Sequence, residues 1–367
     1  MQILEEKALY SNFINSLRSP VTKQVYSSEL RQFMKYHGLT SYSSLMVTPE
    51  DRIKEYVISM QGVSKAKFKI MFAALKNFYE MNDVEGIRWN KLKRFCGESP
   101  ALHEDRAYSH EEIHTMVSNA GIKLKAAILL MSSTGMRIGA IPSLKLCDIH
   151  KDTKNDNAVH KADNHGQSFG NSITVYANTK DKYITFITPE CRAAIDTYLQ
   201  FRERCGEKLT KDSPLFRKDF DTEFLEEANR DVKPWTVPAI KGSLMRLCSM
   251  VGIRQVDHVE GSFRKRKEVK LSHGFRKFFE TQLINSDVKE SVVKKLMGHK
   301  QGNDLTGLYY KPTEEFLYEE YSKAVDALTI SPSNRLKRKL TELEEKHDKL
   351  DKVLQRVAIL EKELGIS

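Results

Sequence analysis

The chain has 367 residues, of which 40% are hydrophobic and 29% are charged, and its formal net charge at pH 7 is +10. This length allows two or three domains, and the basic excess favours an acidic polymer such as nucleic acid as a partner. The scattered cysteines contain no CxxC pair, the histidines lack metal-ligand spacing, and no apolar run approaches membrane-spanning length, which argues against a disulfide scaffold, a zinc ribbon and a membrane protein. We therefore expect a cytoplasmic protein.

Residues 1–95 have the apolar spacing of amphipathic helices with short breaks, and they predict a helical domain. Ser64 is placed to cap a helix that runs to Met81. The face of this helix opposite its apolar residues carries a row of lysines, which is either a solvated surface or a set of phosphate contacts along a DNA duplex. These lysines are Lys65, Lys67, Lys69 and Lys76.

A polar segment with Gly, Ser and Pro, residues 96–107, interrupts the periodicity and predicts an interdomain linker. Ser109 and Glu112 have the spacing of a capping box, which predicts the first helix of a second domain, residues 108–330. The next apolar pattern predicts a helix over Ile113–Met131.

Gly135 lies two residues before Arg137, directly after that predicted helix. A glycine here predicts a tight turn in which the backbone can approach a ligand, and arginine suits bidentate contact with phosphate oxygens. A helix end followed by a solvated arginine explains the same residues equally well.

A β-hairpin is predicted from residue 172 to residue 187, where apolar and polar residues alternate on both sides of a turn. Lys180 and Lys182 lie at its tip and are either solvated, inserted into a DNA groove or able to protonate a leaving oxygen. The polar residues 148–170 before it predict an exposed loop or hairpin insert. Helices are predicted from Pro189 to about Arg204 and from Val237 to about Val251.

His273 and Arg276 are three residues apart at the start of another predicted helix, so an imidazole and a guanidinium can point at one place. Free N–H groups and the helix dipole favour an anion at such a helix start. A basic run precedes this helix and is either solvated or directed at DNA. It contains Arg264, Lys265, Arg266 and Lys267.

Gly298-His299 ends a further apolar helix, and Tyr309-Tyr-Lys-Pro follows it. A motif arginine, a hairpin lysine, the His-x-x-Arg pair, Gly-His and a downstream tyrosine occur in this order, and together they resemble the tyrosine recombinase (phage integrase) family over about residues 1–328. The Thr-Gly-Met-Arg and Tyr-Tyr-Lys-Pro segments are most similar to archaeal integrases. The resemblance implies a mainly α fold with a small antiparallel β-sheet, in which a helical core-binding domain precedes a tyrosine-recombinase catalytic domain.

The resemblance also implies a mechanism in which a tyrosine attacks the scissile phosphate and forms a 3′-phosphotyrosine, without metal or nucleotide cofactor. Two arginines clamp the non-bridging oxygens, a hairpin lysine protonates the 5′-oxygen, and two histidines assist the tyrosine and the phosphate. The implied catalytic residues are Arg137, Lys180, His273, Arg276, His299 and Tyr310, with Tyr309 as the alternative nucleophile. Ala140, where many relatives carry an acidic residue, and the insert at 148–170 depart from the family pattern.

These features predict a site-specific DNA recombinase of an integrating genetic element, which binds double-stranded DNA and acts as a tetramer on two duplexes. A type IB topoisomerase-like enzyme and a non-catalytic DNA-binding protein of the same fold are the alternatives. The N-terminal helical segment favours the recombinase over the topoisomerase, and the intact set of catalytic residue types argues against a binding module.

The C-terminal residues 333–367 predict a long helix. Apolar residues recur there by alternating steps of three and four from Leu336 to Val357, with His347 on the same seam. This heptad pattern predicts either a coiled coil with another protomer or another protein, through residues 336–364, or an amphipathic helix packed on its own domain.

Overall fold

The computed structural model describes residues 2–97, 105–150, 171–222, 224, 227–253, 256–257, 266–299 and 311–364. The chain divides into two compact units, residues 1–103 and 104–367. Each unit has its own hydrophobic core. None of the helices in the described ranges combines the length and the apolar content needed to cross a membrane.

The N-terminal unit packs its helices around aromatic side chains. Phe13 and Phe78 are fully buried and meet edge-on with ring centroids 5.7 Å apart. The side chain of Ser64 accepts a backbone N–H and so begins a helix that ends at Met81, which confirms the prediction for this segment. The helices are α1 (Gln2–Asn15), α2 (Pro20–Tyr36), α3 (Tyr42–Met46), α4 (Glu50–Ser59), α5 (Lys65–Met81) and α6 (Trp89–Leu92).

The second unit arranges its helices around one that is buried on every side. The helices in its described residues are α7 (His110–Asn119), α8 (Ile122–Thr134), α9 (Pro189–Arg204), α10 (Val237–Met250), α11 (His273–Asn285), α12 (Glu290–Leu296), α13 (Glu314–Ser322), α14 (Val325–Leu328) and α15 (Pro332–Leu364). Every residue of α8 from Ala126 onward is buried. A helix that is apolar all round needs neighbours all round, and α7, α9 and α11 pack against it.

The start of this unit follows the predicted capping box but not the predicted helix length. The Ser109 side chain accepts the N–H of Glu112, whose carboxylate accepts the N–H of Ser109 in return. The prediction of a single helix over Ile113–Met131 is wrong, because Ala120 and Gly121 have extended backbone and Gly121 begins α8. The chain reverses at this break, so α7 and α8 can pack against each other.

A three-stranded antiparallel sheet lies beside these helices, in the order β1 (Ile149–His150), β2 (Ser172–Val175) and β3 (Tyr183–Phe186). The predicted hairpin is confirmed, with Ile173 opposite Thr185. Strand β1 was not predicted, because two residues are too few to show a period. Strands β4 (Val256–Asp257) and β5 (Arg266–Lys267) form a separate antiparallel pair, and the predicted mainly α fold with a small antiparallel sheet is confirmed.

A buried ion network joins the end of α9 to the segment that follows it. Arg202 and Arg217 both bind the carboxylate of Glu207, at 2.5 and 2.9 Å, and none of the three side chains is more than 2% exposed. Arg202 also donates to the carbonyl oxygens of Pro214 and Leu215. Burial acts to raise the pKa of Glu207, but the hydrogen bonds from both guanidiniums hold this pKa below its ordinary value.

Candidate active site

The chain turns sharply at Gly135, directly after α8. Gly135 has a φ of 58°, and a Cβ at this position would lie 2.4 Å from the ring of Phe279 on α11. Both observations require glycine, as the sequence predicted. The turn leaves Arg137 exposed, and its Nη1 donates to the carbonyl oxygen of Gly298 at 3.2 Å.

Helix α11 brings Arg276 to the same turn. The first turn of this helix packs tightly, because a Cβ on Gly274 would lie 2.6 Å from the ring of Tyr108. The Arg276 side chain is only 7% exposed. Its Nη1 donates to the carbonyl oxygen of Gly135 at 2.5 Å and its Nη2 to that of Met297 at 2.9 Å. The guanidinium therefore bridges the turn after α8 and the end of α12.

The residues after α12 complete this arrangement. Gly298 has a φ of 61°, and a Cβ there would lie 2.4 Å from the ring of Tyr183 on β3. The backbone N–H of His299 donates to the carbonyl oxygen of Lys294 at 3.0 Å, which places this half-buried residue just beyond the helix end. A glycine is again required where the chain leaves a helix and passes close to an aromatic ring.

Both histidines lie near positive charge. Burial, followed by Lys270 and Arg276, lowers the pKa of His273, and the nearby Asp105 only partly opposes this shift. Burial, followed by Arg276, also lowers the pKa of His299. Both imidazoles are therefore neutral at pH 7, and each can accept a proton on one ring nitrogen and donate from the other.

The two arginines retain their charge for a ligand. Burial, followed by the charge of Arg137, lowers the pKa of Arg276, but a guanidinium stays protonated at any working pH. Within the described ranges neither Arg137 nor Arg276 forms an ion pair with a carboxylate, and their hydrogen bonds go to backbone carbonyls. Two guanidiniums and two neutral imidazoles at one place can hold an anion and move protons beside it.

The model of the phage integrase family matches residues 107–315, which is more than half of the chain. The chain belongs to the phage integrase family. This match covers the turn at Gly135, helix α11 and the residues after α12, so the family assignment includes every part of the arrangement above. The predicted resemblance to tyrosine recombinases is thereby confirmed.

Solved structures of integrases share the fold of this family member. It is similar to the Tn1549 transposon integrase in complex with transposon right end DNA, at 16% identity and a TM-score of 0.54, over 86% of this chain and 98% of that one. It is also similar to lambda integrase, solved as a tetramer bound to a Holliday junction, at 14% identity and a TM-score of 0.52, over 84% and 78% of the two chains. No curated protein sequence matches this integrase.

Tyr183 lies in the same arrangement, and the sequence pattern did not single it out. Its ring lies against Gly298, and its hydroxyl is buried with no hydrogen-bond partner among the described residues. Burial raises its pKa to about 12, although Arg276 and Arg137 act to lower it. The hydroxyl therefore stays protonated and remains able to donate a hydrogen bond. The only sequence signal was its position at the start of β3.

The structure describes the lysines at the hairpin tip but not the two candidate nucleophiles. Lys180 and Lys182 are both exposed in the turn between β2 and β3, and the N–H of Lys182 donates to the carbonyl oxygen of Thr179. Tyr309 and Tyr310 lie outside the described residues. Helix α13, which follows them, is fixed to the site because the hydroxyl of Tyr321 donates to the carbonyl oxygen of Ser133 at 3.0 Å.

The lysines predicted to bind DNA on α5 fall into two groups. Lys65 and Lys69 are exposed. The Nζ of Lys67 instead binds the buried carboxylate of Glu29 on α2, at 2.5 Å, and Lys76 lies 3.4 Å from Glu80 on its own helix. Arg264 and Lys265 lie outside the described residues, and Arg266 and Lys267 form strand β5. In the part of the chain that the structure describes, no group of His, Cys, Asp or Glu could hold a metal ion.

Proposed function

We propose that this site-specific recombinase cuts and rejoins duplex DNA through a 3′-phosphotyrosine intermediate and serves the integration or excision of a mobile element. The observation that carries the proposal is the pair of guanidiniums, Arg137 and Arg276, held by backbone carbonyls and without a carboxylate partner among the described residues. Such a pair suits one phosphodiester, because negative charge grows on its non-bridging oxygens as a nucleophile attacks.

In the proposed reaction the phenolic oxygen of Tyr310 attacks the scissile phosphorus and the 5′-oxygen of the next nucleotide leaves. Lys180 gives its proton to that oxygen, and a new 5′-hydroxyl can later attack the tyrosine ester to reseal a strand. One phosphoester bond is exchanged for another, so the reaction needs no nucleotide cofactor. Tyr309 is the alternative nucleophile.

The histidines and Tyr183 take the remaining proposed roles. His273, neutral because burial and the adjacent cations lower its pKa, accepts the phenolic proton of the nucleophile. His299 donates a hydrogen bond to the phosphate. The hydroxyl of Tyr183, which has no partner among the described residues, is a further donor beside Arg276. No sequence motif predicted this donor.

The proposal extends to DNA, assembly and cellular setting. The exposed Lys65 and Lys69, the hairpin-tip Lys182 and the predicted basic run contact phosphates along the duplex. That run contains Arg264, Lys265, Arg266 and Lys267. Four copies act on two duplexes, and the solved lambda integrase tetramer on a Holliday junction supports this arrangement. Helix α15 pairs protomers as a coiled coil. The Thr-Gly-Met-Arg and Tyr-Tyr-Lys-Pro segments favour an archaeal type of integrase. A DNA substrate favours action inside the cell.

A nicked suicide substrate tests the chemistry. The wild-type chain should form a covalent DNA adduct on a half-site whose released 5′ fragment diffuses away, whereas Tyr310→Phe should bind the same DNA without an adduct. Tyr309→Phe is the matched control and should keep at least part of the activity. The opposite pattern assigns the nucleophile to Tyr309.

Two other results would overturn the proposal. A wild-type chain that binds DNA but never forms an adduct would be a binding module. A chain that relaxes supercoiled plasmid as a monomer but does not recombine two sites would be a topoisomerase-like enzyme.

A further inference from the structure

Helix α15 exposes an apolar stripe along most of its 33 residues. The described contacts that tie it to the rest of its unit come from its first two turns, where Asn334 meets Glu190 and Arg338 binds Asp326. The stripe residues are between 43% and 68% exposed. They are Leu336, Leu340, Leu343, Leu350, Leu354 and Val357. A long helix gains most of its stability from packing its apolar face, so this stripe requires a partner.

The stripe follows the heptad of a two-stranded coiled coil. Leu336, Leu343, Leu350 and Val357 occupy one of the two core positions, called d, and Leu340, His347 and Leu354 occupy the other, called a. This assignment also fixes which residues flank the seam. The g positions, which precede the a residues, are Lys339, Lys346 and Val353, and the e positions, which follow the d residues, are Lys337, Glu344, Asp351 and Ala358.

These flanking charges select the partner and its direction. In a parallel, in-register pair a g residue faces the e residue five positions later on the other chain, which places Lys339 opposite Glu344 and Lys346 opposite Asp351. In an antiparallel pair, e positions face e positions and g positions face g positions. That arrangement would set carboxylates against carboxylates and lysines against lysines. The sequence is therefore complementary to a parallel copy of itself.

We infer that α15 pairs with α15 of a second copy of this chain, in parallel and in register, over Leu336–Val357, and joins two protomers before they meet DNA. His347 lies in the middle of the seam, and a polar residue at an a position costs stability while it fixes register. The inference rests on the coiled-coil pairing proposed above and adds its partner, direction and register, and it does not depend on the strand-exchange chemistry. About three heptads give a weak dimer, whose population rises with protein concentration.

Sedimentation equilibrium of the full chain without DNA tests the pairing. The wild type should dimerise, and the seam variant Leu343→Lys with Leu350→Lys should raise the dissociation constant by at least about 100-fold, because it places charge in an apolar seam. The matched control is Thr341→Lys with Gln355→Lys, which adds two lysines at exposed positions off the seam of the same helix. This control should dimerise like the wild type.

A charge exchange tests the direction. Glu344→Lys with Asp351→Lys should weaken a parallel dimer, because Lys339 and Lys346 then face lysines, and adding Lys339→Glu with Lys346→Glu should restore it. An antiparallel dimer would be unaffected by the first exchange. A wild type that stays monomeric up to roughly 0.1 mM overturns the inference. Cleavage of a suicide half-site should be equal in all variants, which separates failure of the pairing from failure of the chemistry.

Discussion

The second unit buries arginine side chains in two places, and their partners differ. Arg202 and Arg217 share the carboxylate of Glu207, so their charge is largely neutralised inside the protein. Arg276 is almost as deeply buried, but its described hydrogen bonds go to the carbonyl oxygens of Gly135 and Met297. A carbonyl orients a guanidinium without cancelling its charge, so only Arg276 still offers a full positive charge to a ligand.

The comparison separates a structural arginine from one prepared for an anion. A buried ion pair satisfies its own charges and adds nothing that a ligand could use. A guanidinium held by carbonyls is costly in the empty site and is compensated when a phosphate arrives. Burial alone therefore does not identify a functional charge, whereas burial without an opposite charge does.

Breaking the ion network should have the largest effect on stability. Arg202→Met leaves Glu207 with one guanidinium and should lower the free energy of unfolding by about 3–5 kcal/mol. Urea unfolding followed by the fluorescence of the buried Trp235, in a Trp89→Phe background, measures this. The control replaces the whole network, Arg202→Met with Glu207→Leu and Arg217→Met. It should be more stable than the single variant, and a less stable triple variant would contradict this account of the network.

Compared with Arg202→Met, Arg276→Ala should have the larger effect on the reaction. Loss of a positioned charged donor should lower the rate of DNA cleavage by about 10²–10³-fold. Its effect on unfolding should be smaller than that of Arg202→Met, about 1–2 kcal/mol, because two carbonyls lose a donor but no carboxylate is left unpaired. Single-turnover cleavage and urea unfolding of the same samples give both numbers. A purely structural role for Arg276 would lower stability and leave the cleavage rate per folded molecule unchanged.

Tyr183→Phe should have a smaller effect, and again on rate more than on stability. Removing one hydrogen-bond donor to a charged phosphate should slow cleavage about tenfold, while the unfolding free energy stays equal or rises, because a buried unpartnered hydroxyl is removed. Tyr198→Phe is the matched control, since its buried hydroxyl accepts the N–H of Arg217 beside the ion network. That variant should lose stability and keep its rate.

The smallest effect concerns pH. The pKa values of His273 and His299 lie below their ordinary value of 6.5, so cleavage should stay constant from pH 7 to about pH 6.5 and fall only at lower pH, as the imidazoles take up protons. Their contribution to stability is complete above pH 6.5. It is lost as pH falls through 6.5 toward the lowered values, since the unfolded chain binds protons first.

The ion network should respond at lower pH than the histidines. Burial acts to raise the pKa of Glu207, but its two guanidinium partners hold this pKa below the ordinary value of 4.5. Its contribution to stability is therefore complete above pH 4.5 and is lost only as pH falls through that lowered pKa. A pH profile of cleavage set beside one of urea unfolding measures the difference. An acid limit of cleavage above pH 6.5 would contradict the neutral imidazoles.

Features carried by neighbouring residues were predictable from the sequence. The capping box at Ser109 and Glu112, the hairpin and the turn at Gly135 depend on residues a few positions apart, whose side chains or backbone angles decide the local structure. The arrangement of Arg137 and Arg276 followed from a family resemblance rather than from spacing, because 138 intervening residues give no local signal.

Features that depend on tertiary packing were not predictable. The break at Gly121 lies inside an apolar pattern that continues across it, and only the packing of α7 on α8 requires the chain to reverse there. In the sequence Tyr183 is an ordinary strand tyrosine, and only the folded structure shows that its ring packs against Gly298. The lysine row on α5 looked uniform, but a buried glutamate on α2 engages Lys67 and leaves Lys65 and Lys69 exposed.

The guanidinium of Arg276 fastens together two chain segments that are far apart in sequence, at Gly135 and Met297. A lysine places its three donors on one nitrogen, whereas Arg276 reaches the two carbonyls from two separate nitrogens, so even a charge-preserving replacement would weaken this connection. The position of the turn at Gly135 relative to the end of α12 and the buried charge between them thus depend on the same side chain. A substitution that removes this charge therefore also loosens the contact between the two segments.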